Sequence, residues 1–244
     1  MAEMLTAERF VERMEALRSK EELRKIQRYF KSGEGEYGEG DAFLGVKMGQ
    51  VFGLAREFVD MTPAEIEKLL ESRLHEVRAG ALSIMSKQAS LKRTPEARKK
   101  ELFDLYLRRH DRINNWDLVD VAAPMVVGQY LFDKPRDVLY ELGRSSNLWE
   151  RRTAIVSTAY FIRKGDLDDT FALAEMLLHD EEDLIHKPVG GWLRFAGDQD
   201  RPRLVAFLNQ HAATMPRTAL RYALEHFDKE ERDRYMNMRK APGP

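Results

Sequence analysis

The sequence predicts an all-α fold: a curved solenoid of antiparallel helix pairs, occupying residues 1–244 as one domain. Three observations predict it. Apolar residues recur at helical spacing along nearly the whole chain, with no convincing two-residue alternation. Helix-opening signals recur, the clearest being Thr62-Pro63-Ala64-Glu65, with a capping Thr, Pro at the first helical position and Glu three residues on. A polar residue just ahead of an apolar run also returns. It is seen in Glu76-Val77-Arg78-Ala79, Val119-Asp120-Val121-Ala122, Arg151-Arg152-Thr153-Ala154, His186-Lys187-Pro188-Val189 and Pro216-Arg217-Thr218-Ala219. These marks lie about 30 to 42 residues apart, a period suited to stacked helix pairs.

The elements follow in order. A first helix is expected over Thr6 to Arg18, and a second from about Ser19 to Lys31 with Leu23, Ile26 and Tyr29-Phe30 apolar. Ser32 to Asp41 holds four glycines but no P-loop lysine, and its acidic groups would repel phosphate. It reads as a connector rather than a ligand loop. Helices follow at Val46 to Val59, Thr62 to Ser72 and His75 to Ala89. Thr94-Pro95-Glu96-Ala97 opens another, to about Arg109. The segment around Trp116 leads into Val119 to Phe132. There Pro124 cannot donate to the Asp120 carbonyl, so a bend or break is expected. The remaining helices are Arg136 to Arg144, Leu148 to Lys164, Leu167 to His179, Glu182 to Ala196, Arg201 to Ala213, Arg217 to Phe227 and a short one from Lys229. The tail from about residue 237 is expected to fray.

Composition narrows the function. Charged residues make up 33% and apolar ones 43%, a folded chain rather than a disordered one. With 40 basic against 41 acidic residues, a nucleic-acid role would need the signs to be segregated on one face. The absence of cysteine excludes disulfides, thiolate metal sites and cysteine nucleophiles. Six histidines form no compact ligand pattern, so neither a metal nor another cofactor is expected. No signal-peptide core and no long apolar run is present, and a cytoplasmic protein with no membrane partner is expected.

The repeat period is that of helix pairs of the HEAT or armadillo type, whose second helices line a concave side. The inner stripe would then hold Arg78, Asp120, Arg152, Lys187 and Arg217, with Arg194 and Arg221 further along their helices. That would be a mainly basic groove in a protein of balanced charge.

The chemistry-bearing stretch is Asn114-Asn115-Trp116-Asp117-Leu118-Val119-Asp120. If helical, it sets Trp116 and Asp120 one turn apart on one face, among neighbours apolar enough to desolvate the carboxylate in part. Arg152 shares a face with Leu148, Ile155, Val156 and Ala159 and is a possible partner. Taken singly, each has a simpler explanation: Trp116 and Trp149 as packing, Asp120 as a capping carboxylate, Arg152 as an ion-pair partner.

In this order and spacing, the motifs resemble the AlkD family, the HEAT-like-repeat DNA glycosylases that remove alkylated purines. The resemblance spans almost the whole chain. It rests on Tyr29-Phe30-Lys31 with Gly35 to Asp41, His75-Glu76-Val77-Arg78, Asn115 to Asp120, Leu148-Trp149 with Arg151 to Ile155, Ile185-His186-Lys187 to Leu193-Arg194, and Met215-Pro216-Arg217-Thr218. It implies a catalytic aspartate at Asp120, an active-site tryptophan at Trp116 and an active-site arginine at Arg152. Arg78, Lys187, Trp192, Arg194, Arg217 and Arg221 would contact DNA. The implied partner is double-stranded DNA carrying alkylated purines, met by a monomer that associates with the nucleoid when bound. A second tryptophan is implied where this chain has Gly191, with Trp192 one residue later. One residue turns a helical side chain by about 100°. The alternative is a non-catalytic helical-repeat scaffold that binds DNA or another partner.

Overall fold

Several helix starts fall where a short oxygen-bearing side chain supplies the cap. The computed structural model describes residues 5–30 and 40–238. Most of the glycine-rich connector and the end of the expected fraying tail lie outside them. Thr6 accepts a hydrogen bond from the Arg9 amide, Ser19 from Glu22, Thr62 from Glu65, Asp200 from Arg203 and Asp228 from Glu231. Each satisfies an amide that the first turn of a helix leaves without a carbonyl.

The chain divides into two units, Met1–Tyr130 and Leu131–Pro244. The first holds α1 (Ala7–Glu15), α2 (Lys20–Tyr29), α3 (Met48–Glu57), α4 (Pro63–Leu70), α5 (His75–Ser90), α6 (Glu96–Arg108) and α7 (Trp116–Ala122). A 3-10 turn at His110–Arg112, not anticipated from sequence, leads into α7. Helices α3, α5 and α7 pack in succession, and α4 and α6 also lie on α5. α5 is buried along most of its length, as a helix surrounded by others must be. Phe10 and Phe58 meet edge to face at 5.1 Å in this core, and both are essentially inaccessible to solvent. Each such side chain contributes about 1.5–3 kcal/mol by burial.

α7 begins at Trp116, earlier than the periodicity from Val119 suggested. The bend expected at Pro124 takes the form of a π-helical segment, Ala123–Gly128. The proline lacks an amide hydrogen, and the ladder continues with wider spacing instead of breaking, Gln129 donating to the Pro124 carbonyl. The three-residue α8 (Gln129–Leu131) follows.

The second unit holds α9 (Asp137–Gly143), α10 (Leu148–Ile162), α11 (Asp168–Met176), α12 (Asp183–Gln199), α13 (Arg201–His211), α14 (Arg217–Ala223) and α15 (Lys229–Met236). Here α10, α12 and α14 pack in succession. α10 is buried along most of its length. The hydroxyls of Ser157 and Thr158 donate to the Thr153 and Ile155 carbonyls and so carry no unpaired cost. α12 and α14 approach so closely that a Cβ at Gly190 would collide with the Ala219 carbonyl. Pro188 is accommodated within α12.

Among the described residues there are no strands, only an isolated bridge between Ala42 and Leu74. The all-α expectation holds, with the successive helix packing of a helical-repeat protein inside each unit. No described helix is long and apolar enough to cross a membrane.

Candidate functional site

α7 is capped by Asn115, whose buried side chain accepts from the Trp116 amide at 2.8 Å. Asp117, Leu118, Val119 and Ala122 turn inward. Trp116 is left half-buried and Asp120 exposed, one turn apart on the open face of the helix. The expectation of a partly desolvated Asp120 is therefore corrected. The helix is phased so that burial falls on the neighbouring carboxylate, Asp117, which is 9% exposed.

Behind Trp116 lies a polar cluster that sequence did not reveal. His75, 1% exposed at the start of α5, places Nε2 2.7 Å from Asp117 Oδ2 and Nδ1 3.2 Å from Asp41 Oδ2. Arg78 donates to the other oxygen of Asp41 at 2.5 Å and to the Ser72 carbonyl at 3.3 Å. Burial by itself would raise the Asp41 pKa, but hydrogen bonds from His75 and Arg78 outweigh it and hold the carboxyl below its ordinary value. Beside it, buried Glu76 accepts from the amides of Leu44, Gly45 and Val46 and fastens that turn to α5. Gly45 has φ +82°, and any Cβ there would strike Leu23 and the Ser19 carbonyl.

Aromatic rings cover the cluster. Phe30 stacks on Phe43 with ring centroids 5.4 Å apart and on Trp116 at 6.0 Å, and its centroid is 4.9 Å from that of His75. Phe30, Phe43, Phe52, His75, Trp116 and Val121 line a cavity of about 530 Å³, with Lys25 and Lys47 also on its wall.

The basic residues expected on an inner stripe divide into two groups. Arg78 is 3% exposed and committed to Asp41, so it offers no face to a phosphate; that expectation is corrected. Arg152, 6% exposed, donates Nη1 to the Leu184 carbonyl at 2.5 Å and braces α10 against the start of α12. Lys187, Arg217 and Arg221 are exposed, Arg217 reaching the Met236 carbonyl. Arg194 is half-buried, pairs with Glu225 and lies over the ring of exposed Phe195 at 4.7 Å. Trp192 is half-buried and its ring centroid lies 5.4 Å from that of Phe195. A Cβ at Gly191 would meet nothing within 4 Å, so this position is open space.

Sequence reasoning missed His75, Asp41 and Asp117 as a cluster, and Phe195. The only trace of the cluster was the presence of Asp41, His75 and Asp117 inside motifs noted for other residues. Among the described residues no group of His, Asp or Glu is disposed to hold a metal ion.

The fold and the α7 geometry define a helical-repeat protein with an indole–carboxylate pair on an open helix face. A family model described as DNA alkylation repair enzyme matches residues 10–227. The chain belongs to that family, and its role is in the repair of alkylated DNA. Its fold is similar to that of a solved structure described as a predicted DNA alkylation repair enzyme from Enterococcus faecalis. The TM-score is 0.68 and the identity 15%, with 87% of this chain and 97% of that one covered. No curated protein matches the chain.

Proposed function

We propose that the protein is a monofunctional DNA glycosylase of the AlkD type, hydrolysing the N-glycosidic bond of cationic N3- and N7-alkylated purines in duplex DNA. The observation that carries this reading is the pairing of half-buried Trp116 with exposed Asp120 on one face of α7. A cationic purine is already a good leaving group and needs no general acid. The C1′–N bond breaks with its electron pair going to the base, and the sugar becomes oxocarbenium-like. Asp120 stabilises that charge and orients a water, whose oxygen bonds to C1′ while its proton passes to the carboxylate or to solvent. The indole face of Trp116 contacts the cationic nucleotide, worth roughly 1–2 kcal/mol once desolvated. An exposed carboxylate suits a sugar met at the protein surface rather than one drawn into a deep pocket, so the lesion stays largely in the stack. Lys187, Arg217 and Arg221 neutralise phosphates, while buried Arg78 supports the helices.

Release of 7-methylguanine should greatly exceed release of an uncharged base such as hypoxanthine from matched duplexes. Equal rates would remove the charge-sensing mechanism. Trapping of a covalent DNA adduct with borohydride would overturn the monofunctional assignment. A second reading, a DNA-binding scaffold without catalysis, is favoured by the open space at Gly191, where the resemblance implies an aromatic wall.

A further inference from the structure

His75 lies between two carboxylates, and with both ionised each ring nitrogen donates and the ring is an imidazolium. Its far side is fixed, since Arg78 holds Asp41. Its near side is Asp117, the residue after Trp116. Among the described residues Asp117 Oδ1 has no hydrogen-bond partner, so the bond from His75 is the side-chain bond that anchors this carboxylate. α7 has seven residues, capped by Asn115 and followed by the π-helical segment, so a shift at Asp117 carries Trp116 and Asp120 with it.

We propose that His75 is a positioning residue for the Trp116–Asp120 pair, its Asp41–His75–Asp117 clamp setting the height and rotation of α7 beneath the DNA. The role deepens the glycosylase reading and rests on it, but the clamp has its own spectroscopic readout. Burial alone would lower the His75 pKa, yet the hydrogen bonds to Asp117 and Asp41 prevail and raise it to about 9. The other charged groups around the ring are engaged: Arg78 on Asp41, Glu76 on the Leu44–Val46 amides, and Lys25 on Glu22 at the cavity wall, with Lys47 3.9 Å from Glu22. Loss of the His75 proton removes one donated bond and frees one end of the clamp.

The test is a fluorescence pH titration of the full chain carrying Trp149→Phe and Trp192→Phe, which leaves Trp116 as the reporter. Trp116 emission should change with a midpoint near 9. His75→Gln should abolish that transition. Asp117→Asn, which keeps the shape but removes one carboxylate, should move the midpoint toward the ordinary histidine range. In the otherwise native chain, His75→Gln should slow single-turnover base release roughly tenfold or more with DNA affinity unchanged, as misplacement of reacting groups does. An emission midpoint unaltered by both substitutions overturns the clamp. If His75→Gln fails to fold, Asp117→Asn alone decides. A wild-type chain that releases no base, yet shows the transition, sinks the glycosylase reading and leaves the clamp intact.

Discussion

Trp116 and Asp120 occupy the same open face of α7, while the carboxylate between them in sequence, Asp117, turns inward to His75 at 2.7 Å. One short helix thus presents one acid outward and anchors itself with another. The two aspartates divide the labour of chemistry and placement.

Stability should depend on alkaline pH through His75. Its folded pKa is raised to about 9 from an ordinary 6.5. The unfolded chain therefore loses the proton first as pH rises. The contribution is complete below about pH 6.5, declines above it and is gone above about 9, a span worth on the order of 3 kcal/mol. Urea midpoints at pH 7 and pH 9.5 should differ in the wild type, and the difference should shrink in His75→Gln.

Adjacent glycines should respond in opposite ways. Gly190→Ala drives a methyl into the Ala219 carbonyl and should cost about 1–3 kcal/mol, visible as a lower melting temperature. Gly191→Trp enters open space and should leave the melting temperature unchanged. If α12 faces DNA, it should also raise base release or duplex affinity; no change in either would place α12 away from the substrate.

Salt dependence should separate the surface basic residues from buried Arg78. Replacing Lys187, Arg217 or Arg221 by Ala should each lower the log–log salt slope of duplex binding by roughly one unit. Arg78→Ala should leave that slope alone and destabilise the fold instead, since it strips a partner from buried Asp41. A full unit of slope lost with Arg78 would contradict its assigned place.

The all-α class, the order of helices and the shared face of Trp116 and Asp120 were legible because helical spacing and capping residues are local signals. The direction of Arg78 was not. It sits on a helix buried along most of its length, and such a helix has no polar stripe by which to phase a side chain. The partners that settle Arg78 and His75 lie far away in sequence, Asp41 before α3 and Asp117 on α7, and no periodicity links them. Gly190 and Gly191 are identical in sequence, and only packing against α14 tells the crowded one from the open one.

The most direct measurement is single-turnover release of 7-methylguanine from duplex DNA by the wild type and by Asp120→Asn, with duplex affinity measured in parallel. The account predicts wild-type release, a loss of most of that rate in the variant, and equal DNA binding by the two. Equal release by wild type and variant, or none by either, would contradict it.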